Sequence, residues 1–193
     1  MSELQLPLFP LGRAVVPGAQ LKLQLFEQRY LKLARDCLAA EHGFGVVGIK
    51  SGGEAIAESQ FYQSGCRVQI EDWDQLQNGL LGISVRADKR FVIKSCSQQD
   101  DGLWVAQVEL LADESSAPLG SKSDYQGLID LYHSLAAHSG QTVDPTEDAA
   151  ILGWAIANLL PIDNADFAEL LAENDPLKRL HLLATKIDQL SLQ

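Results

Sequence analysis

The sequence is poor in cysteine and has no long apolar run, and each shortage excludes a class of protein. Its three cysteines, Cys37, Cys66 and Cys96, are odd in number and far apart, which predicts buried free thiols and a reducing, cytoplasmic compartment. The apolar runs are far shorter than the roughly 18 residues that cross a bilayer, and residues 1–5 lack the features of a secretory signal. We therefore expect no membrane partner.

Basic residues are also scarce. The 193 residues include 15 Lys and Arg against 26 Asp and Glu, which gives a formal net charge of −11, and no stretch is rich in Lys or Arg. Because a negative field repels phosphate groups, nucleic acid is an unfavourable partner. With 46% hydrophobic residues, the chain nevertheless has enough apolar side chains for a sizeable core.

The first half of the chain has the alternation that is typical of half-buried β-strands. Leucine occupies every second position over residues 4–8 and again over residues 21–25. Residues 44–49 form a short apolar run with two glycines, which indicates a buried strand. One helix is predicted from Glu27 to Ala40, with Gly43 as its stop. The residues expected to share its apolar face are Tyr30, Ala34, Cys37 and Leu38.

Two turn motifs divide residues 65–111 into strands. Asn78-Gly79 is suited to a type I′ turn, in which both central residues have positive φ, and it joins Cys66–Leu76 to Leu80–Arg86. Asp100-Asp101-Gly102 joins the next two predicted strands, Arg90–Ser97 and Leu103–Leu111. The sequence therefore predicts a four-stranded antiparallel meander.

The second half changes to helical patterns after a linker at Ser115–Ser123. An amphipathic stripe follows from Tyr125 to Ala136. Further helices are predicted to begin at Asp144-Pro145, at Asn164 and at Asp175-Pro176, because Asp and Asn are good N-caps and Pro suits the first helical position. Residues inward on the last helix are predicted to be Leu177, Leu180, Ala184 and Ile187.

Several segments together resemble a known family. Leu6-Pro7-Leu8-Phe9-Pro10-Leu11, Val15-Val16-Pro17-Gly18 and Phe26-Glu27-Gln28-Arg29-Tyr30 look like the opening of the LON domain, the substrate-binding part of ATP-dependent Lon proteases. Phe44-Gly45-Val46-Val47 and Arg90-Phe91-Val92-Ile93 resemble later strands of the family. The resemblance implies an α+β fold: a PUA-like antiparallel β pseudo-barrel with one helix over residues 1–115, followed by a helical C-terminal subdomain, residues 116–193, packed on it.

The resemblance also implies a function. It indicates a non-catalytic module that recognises unfolded polypeptides or protein partners, with a link to proteolysis and without the ATPase and protease modules of Lon. The sequence leaves the partner's identity and the oligomeric state open. Two alternatives are RNA binding, since PUA-like barrels elsewhere bind RNA, and binding of a small molecule in the barrel. The acidic charge argues against RNA.

Two segments are candidates for a site. The apolar end of the predicted hairpin, with Trp73, Leu76, Leu80 and Leu81, would bind peptides if it were exposed, although inward packing of alternating residues is the simpler interpretation. The segment Phe26–Tyr30 is interpreted as structural, with Phe26 and Tyr30 in the core and Glu27 and Arg29 at the first helical turn.

No pattern predicts catalysis, a metal or a cofactor. The histidines, at positions 42, 133, 138 and 181, have no metal-ligand spacing, and the Walker, nucleophile-elbow and dinucleotide-binding patterns do not occur. Cys66 and Cys96 fall in predicted strands without a neighbouring base, so we expect them to be small core residues. The acidic pairs near the turns are expected to be solvated.

Overall fold

Strands dominate the first half of the chain and helices the second. The computed structural model describes residues 3–50, 61–112, 117–120, 122–139 and 147–191. In these residues the strands are β1 (Glu3–Leu11), β2 (Gln20–Leu25), β3 (Phe44–Ile49), β4 (Phe61–Gln75), β5 (Leu81–Gln98) and β6 (Trp104–Leu110). The helices are α1 (Gln28–Ala40), α2 (Gln126–Ser139), α3 (Ala149–Leu159), α4 (Asn164–Ala172) and α5 (Pro176–Ser191), with a 3₁₀ turn, Lys122–Tyr125, before α2.

Five strands close into a barrel. Their order is β5-β4-β3-β1-β6, and β6 returns to pair with β5. β5 has 18 residues, which lets its first half pair with β2 as well as β4 while its second half pairs with β6. β2 therefore lies outside the closed ring. The predicted α+β class is confirmed, and among the described strands only the β1–β3 pairing is parallel.

Both faces of β3 are buried because a separate apolar cluster covers each. Val46 belongs to a cluster that includes Phe9 and Tyr30, whereas Val47 belongs to one that includes Leu8 and Phe91. Successive residues of a strand point to opposite faces, so this strand has no solvated side. The apolar run at 44–49 thus has the buried position that the sequence predicts.

The ring of Phe91 requires two glycines beside it. A Cβ atom on Gly45 would lie 2.8 Å from Phe91 Cζ, and one on Gly65 would lie 2.6 Å from the same atom and 2.5 Å from the Val46 carbonyl oxygen. Either approach is shorter than van der Waals contact. These glycines let the aromatic ring approach the neighbouring backbone closely.

The predicted four-stranded meander is wrong in one respect. Its second and third strands, Leu80–Arg86 and Arg90–Ser97, form a single continuous strand, β5. β5 continues through Ala87–Lys89, where the sequence analysis places a break. Arg67 pairs with Lys89 and Val68 with Ala87, which leaves Asp88 as an extra residue in a bulge. A bulge bends a strand without ending it, so charged residues at this point are compatible with an unbroken ladder.

The hairpin at Asn78-Gly79 is present, but its turn is not type I′. Of the two residues Asn78 and Gly79, only Gly79 has positive φ, at +81°. The Leu76 N–H donates to the Leu80 carbonyl at 2.9 Å. The loop therefore holds three residues, 77–79, with glycine in the left-handed position. The second predicted turn is the same kind, since the Gln99 N–H donates to the Leu103 carbonyl and Gly102 has φ +82°.

Helix α1 begins after Glu27 and ends at Ala40, as predicted, but Gly43 does not end it. Glu41 takes the left-handed conformation at the C-cap, with φ 52°. Gly43 is needed instead for close approach, because a Cβ there would lie 2.1 Å from the Val68 carbonyl oxygen. The buried face consists of Tyr30, Leu33, Ala34 and Cys37. Leu38, predicted to be on it, is largely exposed.

Aspartates cap the later helices. The predicted start of α5 is confirmed, since the Asp175 carboxylate accepts from the Leu177 and Lys178 N–H groups at 2.9 and 3.3 Å. Leu180 faces inward on this helix, but Leu177 is partly exposed and Leu183 is buried instead. The predicted start of α3 is displaced, whereas α4 begins at Asn164 but takes its cap from the preceding residue.

Helix α3 begins at Ala149 with Asp148 as its N-cap, so a start at Asp144-Pro145 is wrong for this helix; residues 140–146 lie outside the described part. Helix α4 is capped by Asp163, whose carboxylate accepts from the Asp166 N–H at 2.8 Å. Asn164, the predicted cap, has another role.

Asn164 joins the helices to the barrel. Its side-chain amide donates to the carbonyls of Gly12 and Ile49 at 3.0 and 2.9 Å, and its oxygen accepts from the Ala14 N–H at 2.7 Å. One side chain thereby satisfies three backbone groups of the β half. A buried backbone group left without such a partner would cost free energy.

A second connection is made by two buried arginines. Arg90 of β5 donates to the Leu171 and Glu173 carbonyls at 2.9 and 2.8 Å, at the C-terminal end of α4. Arg179 of α5 donates to the same Glu173 carbonyl at 3.0 Å. Both guanidinium groups lie over the ring of Trp154, with their Cζ atoms 5.7 and 3.9 Å from its centroid. We call the contacts of Asn164, Arg90, Arg179 and Trp154 the junction.

The division at residue 115 stays a prediction, because residues 113–116 lie outside the described part. The same holds for much of the predicted linker, Ser115–Ser123. In the part of the chain that the structure describes, no helix is long and apolar enough to cross a membrane.

Candidate polypeptide-binding site

The four predicted site residues lie together at the turn between β4 and β5. Trp73 has 59% of its surface exposed, whereas Leu76, Leu80 and Leu81 are partly buried. A Cβ on Gly82 would lie 3.0 Å from Leu76 Cδ2, so the Leu76 side chain lies against its own hairpin. Of the four, Trp73 presents the largest apolar surface to solvent.

Three strand segments extend beyond the closed barrel, and we call them the arm. They are β2, residues 81–86 of β5 and residues 69–75 of β4, where β3 no longer pairs with β4. Their register forms three rows across the sheet: Leu21–Val85–Ile70, Leu23–Ile83–Trp73 and Leu25–Leu81–Gln75. Directly paired residues share a face, so one face of the arm carries eight apolar residues and one glutamine.

Each of the three rows on this apolar face contains one buried residue. Leu25, Ile83 and Val85 are buried and belong to the cluster that contains Tyr30 and Leu33 of α1. Leu21, Leu23, Ile70 and Leu81 are partly buried and pack against the same cluster, whereas Trp73 is exposed. The arm is therefore anchored along its face, and an apolar rim formed by Trp73 and these partly buried residues remains in contact with water.

The opposite face of the arm is polar and hydrogen-bonded. Glu71 occupies a bulge between Ile70 and Asp72, where its carboxylate accepts from Gln20 at 3.2 Å and from Arg86. The hydrogen bond from Arg86 holds the pKa of the Glu71 carboxyl below its usual value. This face links β2, β5 and β4 through side chains as well as backbone.

Phe26 is a site residue that the sequence analysis misplaced. It follows Leu25 at the turn end of the arm and is 62% exposed, so the prediction that it packs in the core is wrong. Tyr30 is buried as predicted. Arg29 fixes the neighbouring chain: it pairs with Glu27 at 2.8 Å and donates to the Gly102 carbonyl at 3.1 Å.

No sequence signal distinguishes an exposed Phe26 from a buried one. The residue directly follows a strand with regular alternation, and either orientation is compatible with that pattern. The leucines of β2 also belong to the site, although the sequence analysis does not include them. Their alternation over residues 21–25 indicates that they share one face of a strand. Only the register shows that these leucines lie beside Ile83 and Trp73.

Comparison with known proteins identifies the family. The family model of the ATP-dependent protease La (LON) substrate-binding domain matches residues 5–189. The crystal structure of a Lon N-terminal domain protein from Xanthomonas campestris matches with a TM-score of 0.80 and 32% sequence identity, covering 94% of this chain and 98% of that one. The chain belongs to the LON substrate-binding domain family.

Two Lon proteases give the scale of this domain. Lon protease 2 of Herpetosiphon aurantiacus is 26% identical over 206 aligned positions, which cover all of this chain and 25% of that protein. The LON chain described here thus spans about a quarter of that relative. The N-terminal domain of a Mycobacterium avium complex Lon protease shares the fold, with a TM-score of 0.65, 16% identity, and coverage of 93% and 95%. The match is to the substrate-binding domain, and no ATPase or protease module is present in these 193 residues.

Burial disfavours the thiolate form of two cysteines of this LON domain, Cys37 and Cys66. Cys37 and Cys66 are buried and Cys96 is partly buried, and none of the three forms a disulfide within the described residues. Burial raises the pKa of the Cys37 thiol to about 12, with a further contribution from Asp36. Burial likewise raises the pKa of Cys66. A thiol that stays protonated near pH 7 does not attack a carbonyl carbon readily.

The described residues contain no group of three or more His, Cys, Asp or Glu side chains placed to hold a metal ion. His42 and His181 each lie within hydrogen-bond distance of a backbone carbonyl, at 3.0 and 2.8 Å, and His133 lies against Tyr132. Each of these three histidines therefore has its own local contact, and the contacts do not bring them together in a metal site.

Two depressions elsewhere on the surface differ from the arm. One, of about 540 Å³, lies at the junction beside Arg13 and Asn164, and Arg13 donates there to the Asn158 and Leu160 carbonyls at 3.1 and 3.0 Å. The other, of about 350 Å³, lies between α2 and α5, with Leu128 and Ile187 in its wall. In the first depression the Arg13 side chain is already engaged in hydrogen bonds to the protein's own backbone. The second is an apolar groove between helices.

Proposed function

We propose that this domain recognises unfolded polypeptides or exposed apolar segments of partner proteins, without acting on them chemically. The observation that carries the proposal is the apolar rim of the arm, with Trp73 and the partly buried leucines of β2 and β5. Membership of a family named for substrate binding supports it. The Lon proteases among its relatives support a link to proteolysis, and the absence of a disulfide among the described cysteines supports a cytoplasmic location.

The apolar surface that a ligand would cover on Trp73 is consistent with weak, reversible binding. A buried tryptophan removes about 150–250 Å² from water, and more than half of Trp73 is still exposed. Covering that part would contribute roughly 2–4 kcal/mol at about 25 cal/mol per Å². Several such contacts are needed for useful affinity, since association itself costs free energy.

Single exposed hydrophobic residues are common on proteins and need no explanation. The arm differs because its exposed aromatic residue continues a row of apolar neighbours on the same face. Phe26 adds a second exposed aromatic side chain near the turn end. An extended or collapsed apolar segment could therefore contact several side chains at once.

The acidic residues beside Trp73 weigh against RNA as the ligand. Asp72 and Asp74 flank this tryptophan, and the whole chain carries a net charge of −11. Single-stranded nucleic acid binds where aromatic stacking is combined with a positive groove. Here the exposed aromatic residue has carboxylates next to it, so phosphate groups would be repelled.

The test is binding of a permanently unfolded protein, such as reduced and carboxymethylated α-lactalbumin, to wild type and to Trp73→Ser. We expect at least a tenfold loss of affinity for Trp73→Ser in a titration at physiological salt. Ile151→Ser is the matched control, because Ile151 is similarly exposed, at 53%, but lies on α3. It should bind within twofold of wild type.

Equal affinity of both variants would remove the arm as the site. Failure of the wild-type domain to retain the unfolded protein, or any of several apolar peptides, would remove the proposed function itself. Circular dichroism and urea unfolding of each variant separate loss of binding from loss of fold.

A further inference from the structure

One edge of the arm is an unpaired strand. β2 pairs with β5, and within the described residues no other strand pairs with it. Its polar residues, Gln20, Lys22 and Gln24, are exposed. A strand paired on one side leaves the backbone groups of every second residue pointing away from its partner.

The hydrogen bonds next to β2 fix which residues these are. The Ala87 N–H donates to the Ala19 carbonyl at 2.8 Å, so Ala19 faces β5. By alternation the backbone groups of Leu21, Leu23 and Leu25 also face β5. Those of Gln20, Lys22 and Gln24 therefore point outward, where a further strand would lie.

The other free edge of the arm is protected. On β4 the bulge at Glu71 interrupts the ladder, and the Asp72 carboxylate accepts from the Trp73 N–H at 2.9 Å. Bulges and charged residues are devices that prevent strand addition. β2 carries neither a bulge nor a side chain bonded to its outward N–H groups in the contacts described, but it does carry one lysine at its centre.

Lys22 selects what can pair there. It is exposed and makes no ion pair within the described residues. On the other face, Leu21 and Leu23 flank it. An added strand places one residue beside Lys22 and its two neighbours beside these leucines, because side chains alternate between faces. Cross-strand pairs of opposite charge are favourable.

We propose that the outer edge of β2 accepts an extended polypeptide segment by strand addition, and that the segment preferred has an acidic residue between two apolar ones. This inference rests on the proposed function and specifies its mode. Six residues of β2 are available, so the paired segment is about five or six residues long. Its backbone supplies the hydrogen bonds, and its alternate side chains extend the apolar face of the arm.

The first test uses a seven-residue peptide, Val-Thr-Val-Glu-Val-Thr-Val, and two versions N-methylated on alternate residues in opposite phases. N-methylation removes an N–H donor and adds bulk on one edge of the peptide without changing its side chains. In strand addition only one edge faces β2. We expect one phase to lose at least tenfold in affinity and the other to stay within threefold of the parent.

Equal binding of the two methylated phases would overturn strand addition while leaving apolar recognition by the arm intact. If the wild-type domain binds the unfolded protein of the preceding section but not the parent peptide, the preferred segment is wrong. If it binds neither, the proposed function fails. The outcomes are thus distinguishable.

The second test exchanges charges. Lys22→Glu should weaken the parent peptide about threefold and strengthen the peptide with Lys in place of Glu by a similar factor, as expected for an exposed ion pair. Lys22→Gln is the control and should bind both peptides alike. Lys22→Pro should abolish strand addition, because proline removes the outward N–H but is tolerated at an edge. An unchanged affinity in a folded Lys22→Pro domain would contradict the proposal.

Discussion

The junction and the arm differ in which large side chains they bury and which they expose to water. At the junction, Arg90 and Arg179 are 4% and 1% exposed and lie over a buried tryptophan, Trp154. On the arm, Trp73 and Phe26 are 59% and 62% exposed. Charged groups are thus buried where the two halves meet, and aromatic groups are exposed where the sheet leaves the barrel.

The difference follows from which groups can be satisfied internally. A buried guanidinium is tolerable only with hydrogen bonds in place, and the carbonyls at the C-terminal end of α4 accept them. An exposed tryptophan loses the stabilisation that burial would give, so it contributes to stability only when a partner covers it. We infer that the junction maintains the fold and that the arm is available for binding.

The largest effect on stability is expected for Arg90→Ala. The change removes both carbonyl contacts and the contact with Trp154, and leaves buried acceptors without donors, so unfolding should become easier by about 3 kcal/mol. Urea unfolding followed by circular dichroism measures it. Arg35→Ala, which removes an exposed charge, should change stability by less than about 0.5 kcal/mol. Similar losses in the two variants would contradict the structural role of the junction.

Asn164→Ala should have the next largest effect. It removes three hydrogen bonds to barrel backbone, and we expect a loss of about 2 kcal/mol in the free energy of unfolding. Asn78→Ala is the counterpart on the arm, because its side chain accepts one hydrogen bond, from the Leu80 N–H, in an exposed turn. Its loss should be below about 1 kcal/mol. The order of the two variants in thermal unfolding decides whether the junction is the more sensitive region.

Gly79→Ala should destabilise the arm by about 1 kcal/mol, because its φ of +81° is unfavourable for residues with a Cβ. The matched substitution Gly127→Ala lies in α2, where nothing approaches a new Cβ within 4 Å. It should stabilise the protein by up to about 1 kcal/mol, since alanine favours a helix. Effects of the same sign in urea unfolding would show that backbone conformation does not control the hairpin.

The smallest effect expected is a pH dependence at Glu71. Its pKa is below the usual value of 4.5 because Arg86 donates a hydrogen bond to it. The ionised carboxylate is therefore favoured in the folded state, so the stabilisation is present above about pH 4.5 and disappears as pH falls through the lowered pKa. Glu71→Gln and Arg86→Gln should each remove this part of the acid dependence of the urea midpoint. An acid dependence unchanged in both would contradict the contact.

Prediction from the sequence succeeded where neighbours in the chain decide the structure. The leucine alternation located β1 and β2, Asn78-Gly79 located the hairpin, and Asp175-Pro176 located the start of α5. It failed where distant groups compete for a residue. Asparagine is a residue type that often caps helices, but the Asn164 side chain donates to the carbonyls of Gly12 and Ile49. Asp163 caps the helix instead.

The candidate site was located in part. The apolar character of Trp73 and the hairpin leucines near a turn indicates them as candidates, but the sequence pattern does not determine how exposed they are. The position of β2 outside the closed barrel, and the placement of Leu23 in one row with Trp73, depend on pairing of β2 with β5, whose paired residues are about 60 positions apart in the chain. Such pairing follows from the closing of the whole barrel, which local patterns do not encode.

The sequence by itself determined the strands, the helical second half and the acidic character, because periodicity and charge are local and additive properties. The tertiary structure alone decided which arginines are buried, which aromatic residues stay in water and which strand edge is open. These depend on the long-range register that brings β2, β4 and β5 together. Burial is a property of the assembled neighbours of a residue, and the residue type alone does not fix it.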